Sequence, residues 1–481
     1  MKTVAIIGGG FAGTITAVNL IRYTQVPVRI VLIERAEKKC RGVAYSTQCE
    51  SHLLNVPAGR MSAFPDEPLH FIKYARAKDP KISESTFVSR KLYGEYLEDI
   101  LEIARENLPA IVKLETIEDE AISIKLIQGQ TKAAIKFASG DVLVADKIVL
   151  ALGNMRPIAP QGLSEGIVNS PNYQGDPWAF DASELRGLKD DILLIGTGLT
   201  MVDKAIEIVQ AGFKGNIHAV SRHGLLPMAH AKAPLPAFAQ TEINPELCGN
   251  LTLLFHTVKN AVRSGSYAQL FDNASTVKME ISDWRQVIDA LRPHSQKLWG
   301  ALSVKEQQRF LRHVRAYWDI HRHRMAPEIA EAIATLIEVG TVQPIAGRLY
   351  SVQETNDSLI ATITPRGGGL AKQLKVAKIL NCTGPSANYN LSRNPLVQSL
   401  ISRGMMTAHD TGAGIKVSNR GQVLDQREQP SEIIFTLGSP LLGAKGETTA
   451  VPELRVQASE LSLNLIAALS LNGSDSLASF A

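Results

Sequence analysis

The sequence predicts an α/β fold in which one strand–turn–helix unit occurs twice, with a helical insertion after the second copy. Three observations carry this. Val4-Ala5-Ile6-Ile7 is an apolar run that meets Gly8-Gly9-Gly10, then Phe11-Ala12-Gly13, and the pattern becomes helical from Thr14 to Leu20. Val28 to Ile33 is a second apolar run and ends on Glu34. The first form then recurs as Asp191 to Ile195, Gly196-Thr197-Gly198 and Leu199 to Asp203, and a repeat strengthens both copies. Strand, glycine turn, helix and strand with a terminal acid make the dinucleotide-binding fingerprint. The fold class is therefore α/β, with two Rossmann-like dinucleotide-binding domains.

Each residue type in the first copy has a physical reason. Gly8 permits the tight turn, Gly10 lets the backbone approach a pyrophosphate, and Gly13 lets helix and strand pack closely. Phe11, Ala12 and Gly13 open a helix whose free N–H groups and positive dipole end suit phosphates. Glu34 can accept from ribose hydroxyls, and Arg35 follows it. In the second copy Met201 stands where the third glycine would be. The strand after it, Asn216 to Val220, ends on Ser221-Arg222-His223 with no acid. Ser221 and Arg222 suit a ribose 2′-phosphate, which a carboxylate would repel, so NADPH is expected in preference to NADH.

Composition bounds the rest. The chain has 481 residues, 45% hydrophobic and 20% charged, with a formal net charge of +4. The length suggests about three domains, and the charge gives no case for nucleic acid. The N-terminal apolar stretch is interrupted by glycines and followed by a strand pattern, which speaks against a signal peptide or membrane span. A cytoplasmic protein with no membrane partner is expected. Cys40, Cys49, Cys248 and Cys382 include no CxxC and no zinc spacing. A dithiol redox pair and a metal site are both unexpected.

Between the copies, Arg41 to Ser62 has poor periodicity and many turn formers. Such a segment suits wrapping a cofactor, with Asn55, Val56, Arg60 and Met61 as contacts; a packed surface loop is the alternative. Arg90 to Asn107 is helical, with Leu92, Tyr96, Ile100, Ile103 and Ala104 at helix spacing. Strand-like segments follow, with a turn at Ser139-Gly140-Asp141. Asp146 to Asn154 is a buried strand running into Gly153. Residues 251–340 are mostly helical and read as an insertion. Within it, Arg309 to Met325 is dense in basic residues, histidines and aromatics. Arg322 and Arg324 are candidates for orienting substrate or nicotinamide, and a solvated charged helix face is the alternative. Ala377 to Pro385 repeats the strand-to-glycine form of Ile148 to Gly153. Glu432 to Gly438 is a strand. Beyond a loop of small residues, Glu447-Thr448-Thr449 precedes a long helix with Pro452 in its first turn. That helix could aim its positive end at a flavin edge, with Gly438, Thr448 and Thr449 beside it.

Gly8 to Gly13, Ala44-Tyr45-Ser46 with His52 to Met61, Val149 to Asn154, Gly196 to Asp203, Asp319 to Pro327 and Glu447 to Gln457 together resemble the bacterial FAD/NAD(P)-binding flavoprotein family (FAD-NAD(P)-binding, YdhS-like). The resemblance spans nearly the whole chain. It implies a two-dinucleotide-binding-domain flavoprotein with non-covalent FAD, and little about the reaction. More distantly, the chain looks like flavin-dependent N-hydroxylating and Baeyer–Villiger monooxygenases. It departs from their linker motif in having Asn169 before Ser170, and Trp178 follows Pro177 rather than preceding a proline.

The expectation is an FAD-dependent oxidoreductase reduced by NADPH, with a monooxygenase of a small molecule as its finer form. The alternative is a flavin-binding sensor with a vestigial nicotinamide site, which Met201 would fit. FAD contacts are expected at Gly8, Gly10, Phe11, Ala12, Gly13, Glu34, Arg35, Asn55, Val56, Arg60, Met61, Gly153, Gly438, Thr448 and Thr449. Nicotinamide-nucleotide contacts are expected at Gly196, Gly198, Ser221 and Arg222. No general acid or base stands out, and neither substrate nor oligomeric state is legible. The expected segments are an FAD-binding part at 1–165, an NAD(P)-binding domain at 186–350 with its insertion at about 244–340, and a second FAD-binding part at 375–481.

Overall fold

The computed structural model describes residues 1–35, 40–127, 131–236, 242–272 and 281–470. The chain forms two units. The first comprises Met1–Gln48, Val56–Met155 and Ala387–Ala481, and the second Cys49–Asn55 and Arg156–Ser386.

In the first unit, β1 (Lys2–Ile7) lies between β2 (Val28–Ile33) and β7 (Lys147–Leu150) and runs parallel to both. β3 (Val112–Ile117) flanks β2, while β16 (Pro430–Thr436) and then β15 (Gln422–Leu424) continue beyond β7. A parallel sheet is buried on both faces, which is why β1 and β2 read as nearly unbroken apolar runs. Alternate residues Ala5, Ile7, Val31 and Ile33 share one core with Ile124, Ile135 and Phe137. These come from a small antiparallel sheet of β4 (Ala121–Ile127), β5 (Lys132–Phe137) and β6 (Val142–Ala145). The helices here are α1 (Phe11–Tyr23), α2 (Gly42–Tyr45), α3 (His70–Lys78), α4 (Arg90–Glu106), α13 (Pro395–Ser402), α14 (Leu442–Lys445) and α15 (Val451–Ser470). α4 starts where the Ser89 hydroxyl accepts the Leu92 N–H, and it buries Tyr93, Tyr96, Leu97, Ile100 and Leu101 along one stripe. Ile103, expected in that stripe, is 59% exposed, because it falls on the solvent side of the helix.

The second unit repeats the plan. β9 (Ile192–Ile195) lies between β10 (Ile217–Ser221) and β14 (Lys378–Asn381), parallel to both. β8 (Tyr173–Gln174) lies beyond β14, and β11 (Val342–Glu354), β12 (Leu359–Pro365) and β13 (Lys372–Val376) extend the other edge. β12 is antiparallel to both β11 and β13. α5 (Glu165–Val168) precedes β8, and α6 (Leu199–Gln210) follows β9. Between β10 and β11 stands the helical insertion: α7 (Leu251–Ser264), α8 (Trp284–Leu291), α9 (Ser295–Ala301), α10 (Val304–Arg309), α11 (Arg315–Arg322) and α12 (Pro327–Glu338). A π-helical turn, Phe310–Val314, joins α10 to α11.

The structure differs from the expected boundaries at both crossings. The chain leaves the first unit after Met155 rather than near residue 165, and re-enters it at Ala387 rather than near residue 375. The later return has a physical reason. β14 pairs with β9 as β7 pairs with β1, so it completes the second sheet before the chain can go back. Residues 471–481 of the expected last segment lie outside the described residues.

Candidate functional site

Two glycine turns stand at equivalent places in the two sheets. Gly8 has φ +108 and Gly196 has φ +114, a backbone region in which a side chain is strained. The Gly8 N–H donates to the Ile33 carbonyl at 2.8 Å, and the Gly196 N–H to the Val220 carbonyl at 2.7 Å. A Cβ on Gly8 would collide with the Ala151 carbonyl oxygen at the end of β7, and one on Gly196 with the Cys382 carbonyl oxygen at the end of β14. Each turn is therefore moulded against the strand that returns beside it.

The helices that follow start without a side-chain cap: Gly10 is the N-cap of α1 and Gly198 that of α6. By contrast Ser89, Asn250, Asp283 and Asn394 cap their helices with a side-chain oxygen. The leading N–H groups of Phe11, Ala12 and Gly13 thus lack an intrahelical partner and a side-chain cap. A Cβ on Gly10 would meet only Gly42 Cα, at 3.4 Å, and one on Gly42 would meet Gly10 Cα at 3.1 Å. Gly42, at φ +56, is a second bare backbone facing the α1 end, and sequence reading did not single it out. Cβ positions on Gly153 and Gly198 point into open space. Gly13 is the packing glycine: its Cβ would collide with the Gly8 carbonyl oxygen.

At the tip of β2, Glu34 accepts the Gly9 N–H at 2.9 Å and the Arg35 N–H at 2.8 Å. The acid is thereby oriented beside the turn, where a ribose on the cradle would lie. Val56 to Met61 is pinned by its own backbone: Ala58 N–H donates to the Thr86 carbonyl, Gly59 N–H to the Glu84 carbonyl, both at 2.9 Å. Met61 is buried and its carbonyl accepts from Tyr93 Oη at 3.0 Å, while Arg60 is exposed. Two strands along the same carboxyl edge of the sheet, the buried Thr448 hydroxyl donates to the Gly438 carbonyl at 3.0 Å, and Gln457 Nε2 donates to Thr448 at 2.8 Å. Gln457 Oε1 takes the Gly438 N–H at 2.9 Å. Thr448 thus braces the loop ahead of α15, Thr449 is exposed, and Gln457 is a residue the sequence did not reveal.

In the second unit, Ser221 is turned inward. Its hydroxyl sits 2.8 Å from the Thr197 hydroxyl and accepts the Gly224 N–H at 3.0 Å. Arg222 is exposed, and so are Arg348 on β11 and Arg366 after β12. None of these three forms an ion pair among the described residues. Together they bear on His223, whose pKa is lowered by burial and then by the positive charges of Arg366, Arg222 and Arg348. A cluster of arginines without carboxylates is what an anionic group on the second ribose requires.

Arg322 and Arg324 are buried, not part of a solvated charged helix face. Arg324 is 4% exposed, ion-paired with Asp289, with its guanidinium 5.8 Å from the Trp284 ring centre. Arg322 is likewise buried at the end of α11. Beside Arg324, His230 donates from Nε2 to the Asn55 carbonyl at 3.0 Å. Burial, then the Arg324 charge, pushes its pKa down to about 4. The sign follows: the unfolded chain binds this proton below about pH 6.5 and the folded chain does not until about pH 4. Stability from this group is therefore present at neutral pH and lost as pH falls through that window. Thermal melts between pH 7 and pH 4 should show a falling midpoint, and His230→Gln should flatten that part of the slope. An unchanged slope would remove the assignment.

Among the described residues no group of three or more His, Cys, Asp or Glu is arranged to hold a metal. No described helix is long and apolar enough to cross a membrane.

Residues 5–155 match the model of the FAD-NAD(P)-binding family. That segment contains β1, the glycine turn, α1, Glu34 and β7. No curated protein matches the chain. Among solved structures, the chain is similar to the ornithine N-hydroxylase of Kutzneria sp. 744 (13% identity, 96% of this chain and 98% of that one, TM-score 0.60). It is similar to L-lysine 6-monooxygenase from Pseudomonas syringae (13% identity, 98% and 100%, TM-score 0.65). It is also similar to bacillithiol disulfide reductase from Staphylococcus aureus (13% identity, 97% and 99%, TM-score 0.56). At such identities the shared property is the fold, which is that of two-dinucleotide-binding-domain flavoproteins over the full chain.

Proposed function

We propose that the protein is an FAD-dependent oxidoreductase reduced by NADPH, acting as a monooxygenase on a small molecule. The observation that carries this reading is the unequal pair of open helix ends. One faces Glu34 and the side-chain-free backbones of Gly10 and Gly42, which suits the pyrophosphate and unphosphorylated ribose of FAD. The other belongs to a sheet with Arg222, Arg348 and Arg366, which suits a 2′-phosphate. The FAD-NAD(P)-binding family match over residues 5–155 supports the first assignment. The Kutzneria structure is described as holding reduced FAD, NADP⁺ and L-ornithine, which supports the division of labour.

When bound, FAD supplies the redox chemistry, passing electrons from the nicotinamide to an acceptor. The chain's own residues bind and orient. The α1 N–H groups hold the pyrophosphate, Glu34 accepts from the ribose, and the α15 end, braced by Gln457 and Thr448, offers positive potential to a reduced ring. The arginine cluster selects the phosphorylated nucleotide.

Two alternatives are less well supported. A dithiol reductase, as among the structural neighbours, needs accessible thiolates. Cys40 and Cys382 are buried, and burial pushes their thiols up to about 11 and about 12; Cys49 and Cys248 are half-buried, and burial raises the Cys49 thiol as well. A sensor with a vestigial second site would rest on Met201. That side chain, however, is fully buried in the core with Leu194, Ala205 and Val342, so the third-glycine position is repacked rather than broken. Anaerobic mixing with NADPH tests the proposal. The flavin band near ~450 nm should bleach, faster with NADPH than NADH. Persistence of the band with both nucleotides would overturn it. Comparing NADPH oxidation with hydrogen peroxide release across ornithine, lysine and cadaverine then separates oxygenation from simple oxidase turnover.

A further inference from the structure

Cys49–Asn55 belongs to the second unit, although the chain on either side of it belongs to the first. The points of attachment are specific. His52 is fully buried, with Nε2 3.2 Å from the Asp203 carbonyl and 3.4 Å from Glu207 Oε2. Its ring meets Trp178 edge-on, with centres 5.9 Å apart. Glu207 is tied to this place by Lys204, 2% exposed, whose Nζ lies 2.6 Å from Glu207 and donates to the Phe180 carbonyl at 3.2 Å. A buried ammonium needs such an opposite charge. Cys49 Sγ reaches Gln210 at 3.9 Å. At the other end the Asn55 carbonyl accepts from His230 at 3.0 Å.

Asp203, Glu207 and Gln210 recur at three- and four-residue steps, so they lie along one side of α6. α6 is the helix that begins at Gly198 and leaves its N-terminus open. The strap in turn runs directly into Val56–Met61, the pinned segment expected to touch the flavin. We infer that His52 and His230 are positioning residues that couple nucleotide binding at the start of α6 to flavin binding through this strap. The inference rests on the cofactor assignments proposed above. Phosphates held on the α6 N–H groups fix the helix. The helix fixes His52 through groups one and two turns in. The strap then fixes the point from which Val56 departs, and His230 holds that end. Coupling of this kind is reciprocal between the two ligands.

The test is a linkage measurement. FAD is titrated into flavin-free protein, followed by flavin fluorescence, with and without saturating NADP⁺, and NADP⁺ is titrated with and without FAD. In the wild type each ligand should change the other's Kd by the same factor, about fivefold or more. In His52→Ala and in His230→Ala the factor should fall to within about twofold of unity, with circular dichroism confirming the fold. Either variant alone suffices should the other not fold. A merely structural role would weaken FAD equally with and without NADP⁺, leaving the factor intact. That result, or no linkage in a wild type that binds both ligands, would overturn the inference. A wild type that binds neither ligand would instead remove the cofactor assignments.

Discussion

Gly13→Ala is expected to yield protein without bound flavin and with markedly lower stability. The new methyl group would be driven into the Gly8 carbonyl oxygen and would also lie 3.2 Å from Ile6 Cγ2. Neither backbone can retreat without pulling α1 from β1, so the overpacking cost of about 1–3 kcal/mol should be met at its upper end. Gly10→Ala separates ligand from fold. Its methyl group would meet Gly42 Cα at 3.4 Å, an ordinary contact, at a backbone position any residue can adopt. The apoprotein should melt as the wild type does, yet flavin content should fall, because a methyl group would cover backbone at the α1 end that a pyrophosphate must approach. The ratio of absorbance near ~450 nm to protein absorbance, read beside the melting midpoint of flavin-free protein, checks both. Full flavin content in Gly13→Ala would show that the turn is not the cofactor's seat.

Arg222→Ala and Arg366→Ala should each weaken NADPH binding by about tenfold or more while leaving NADH nearly unchanged. A charge-assisted hydrogen bond contributes about 1.5–3 kcal/mol, and one or two such bonds to a 2′-phosphate are what these exposed guanidiniums can form. Removing either should also raise the His223 pKa, since both charges now oppose its protonation. Raising the salt concentration should narrow the NADPH preference of the wild type more than that of the variants. Nucleotide titrations at two ionic strengths measure this. An equal loss for NADH and NADPH would mean that the cluster acts on the fold and not on the phosphate.

What could be read in advance has a common character. Gly8, Gly13 and Gly196 were legible because the strand–glycine–helix spacing is local, even though the carbonyls that close on Gly8 and Gly196 come from Ala151 and Cys382. The α4 stripe and the insertion helices were legible for the same reason, since a helical period is local. Arg348 and Arg366 were not. They sit in ordinary strand and turn sequence, and only the pairing of β10 with β11 and of β11 with β12 brings their backbone beside Arg222. The return point near residue 375 was misplaced because Ile379 to Gly384 looks like Ile148 to Gly153, and nothing in either run says which sheet it joins. His52 and Gln457 were hidden for a further reason: each is a buried polar residue whose partners lie more than a helix length away or across a loop.

The moulding of each glycine turn by a later strand also bears on the order in which the protein assembles. The carbonyl that shapes the Gly8 turn belongs to Ala151, far later in the chain. The outer neighbour of β7, β16, is not synthesised until Pro430–Thr436. α15, which packs Ser462 against Thr16 of α1, comes later still. The strands of the second sheet, by contrast, all lie between Tyr173 and Asn381. Its ends therefore meet first during synthesis. The first sheet must wait, with one edge of β7 unpaired, until β16 has been made.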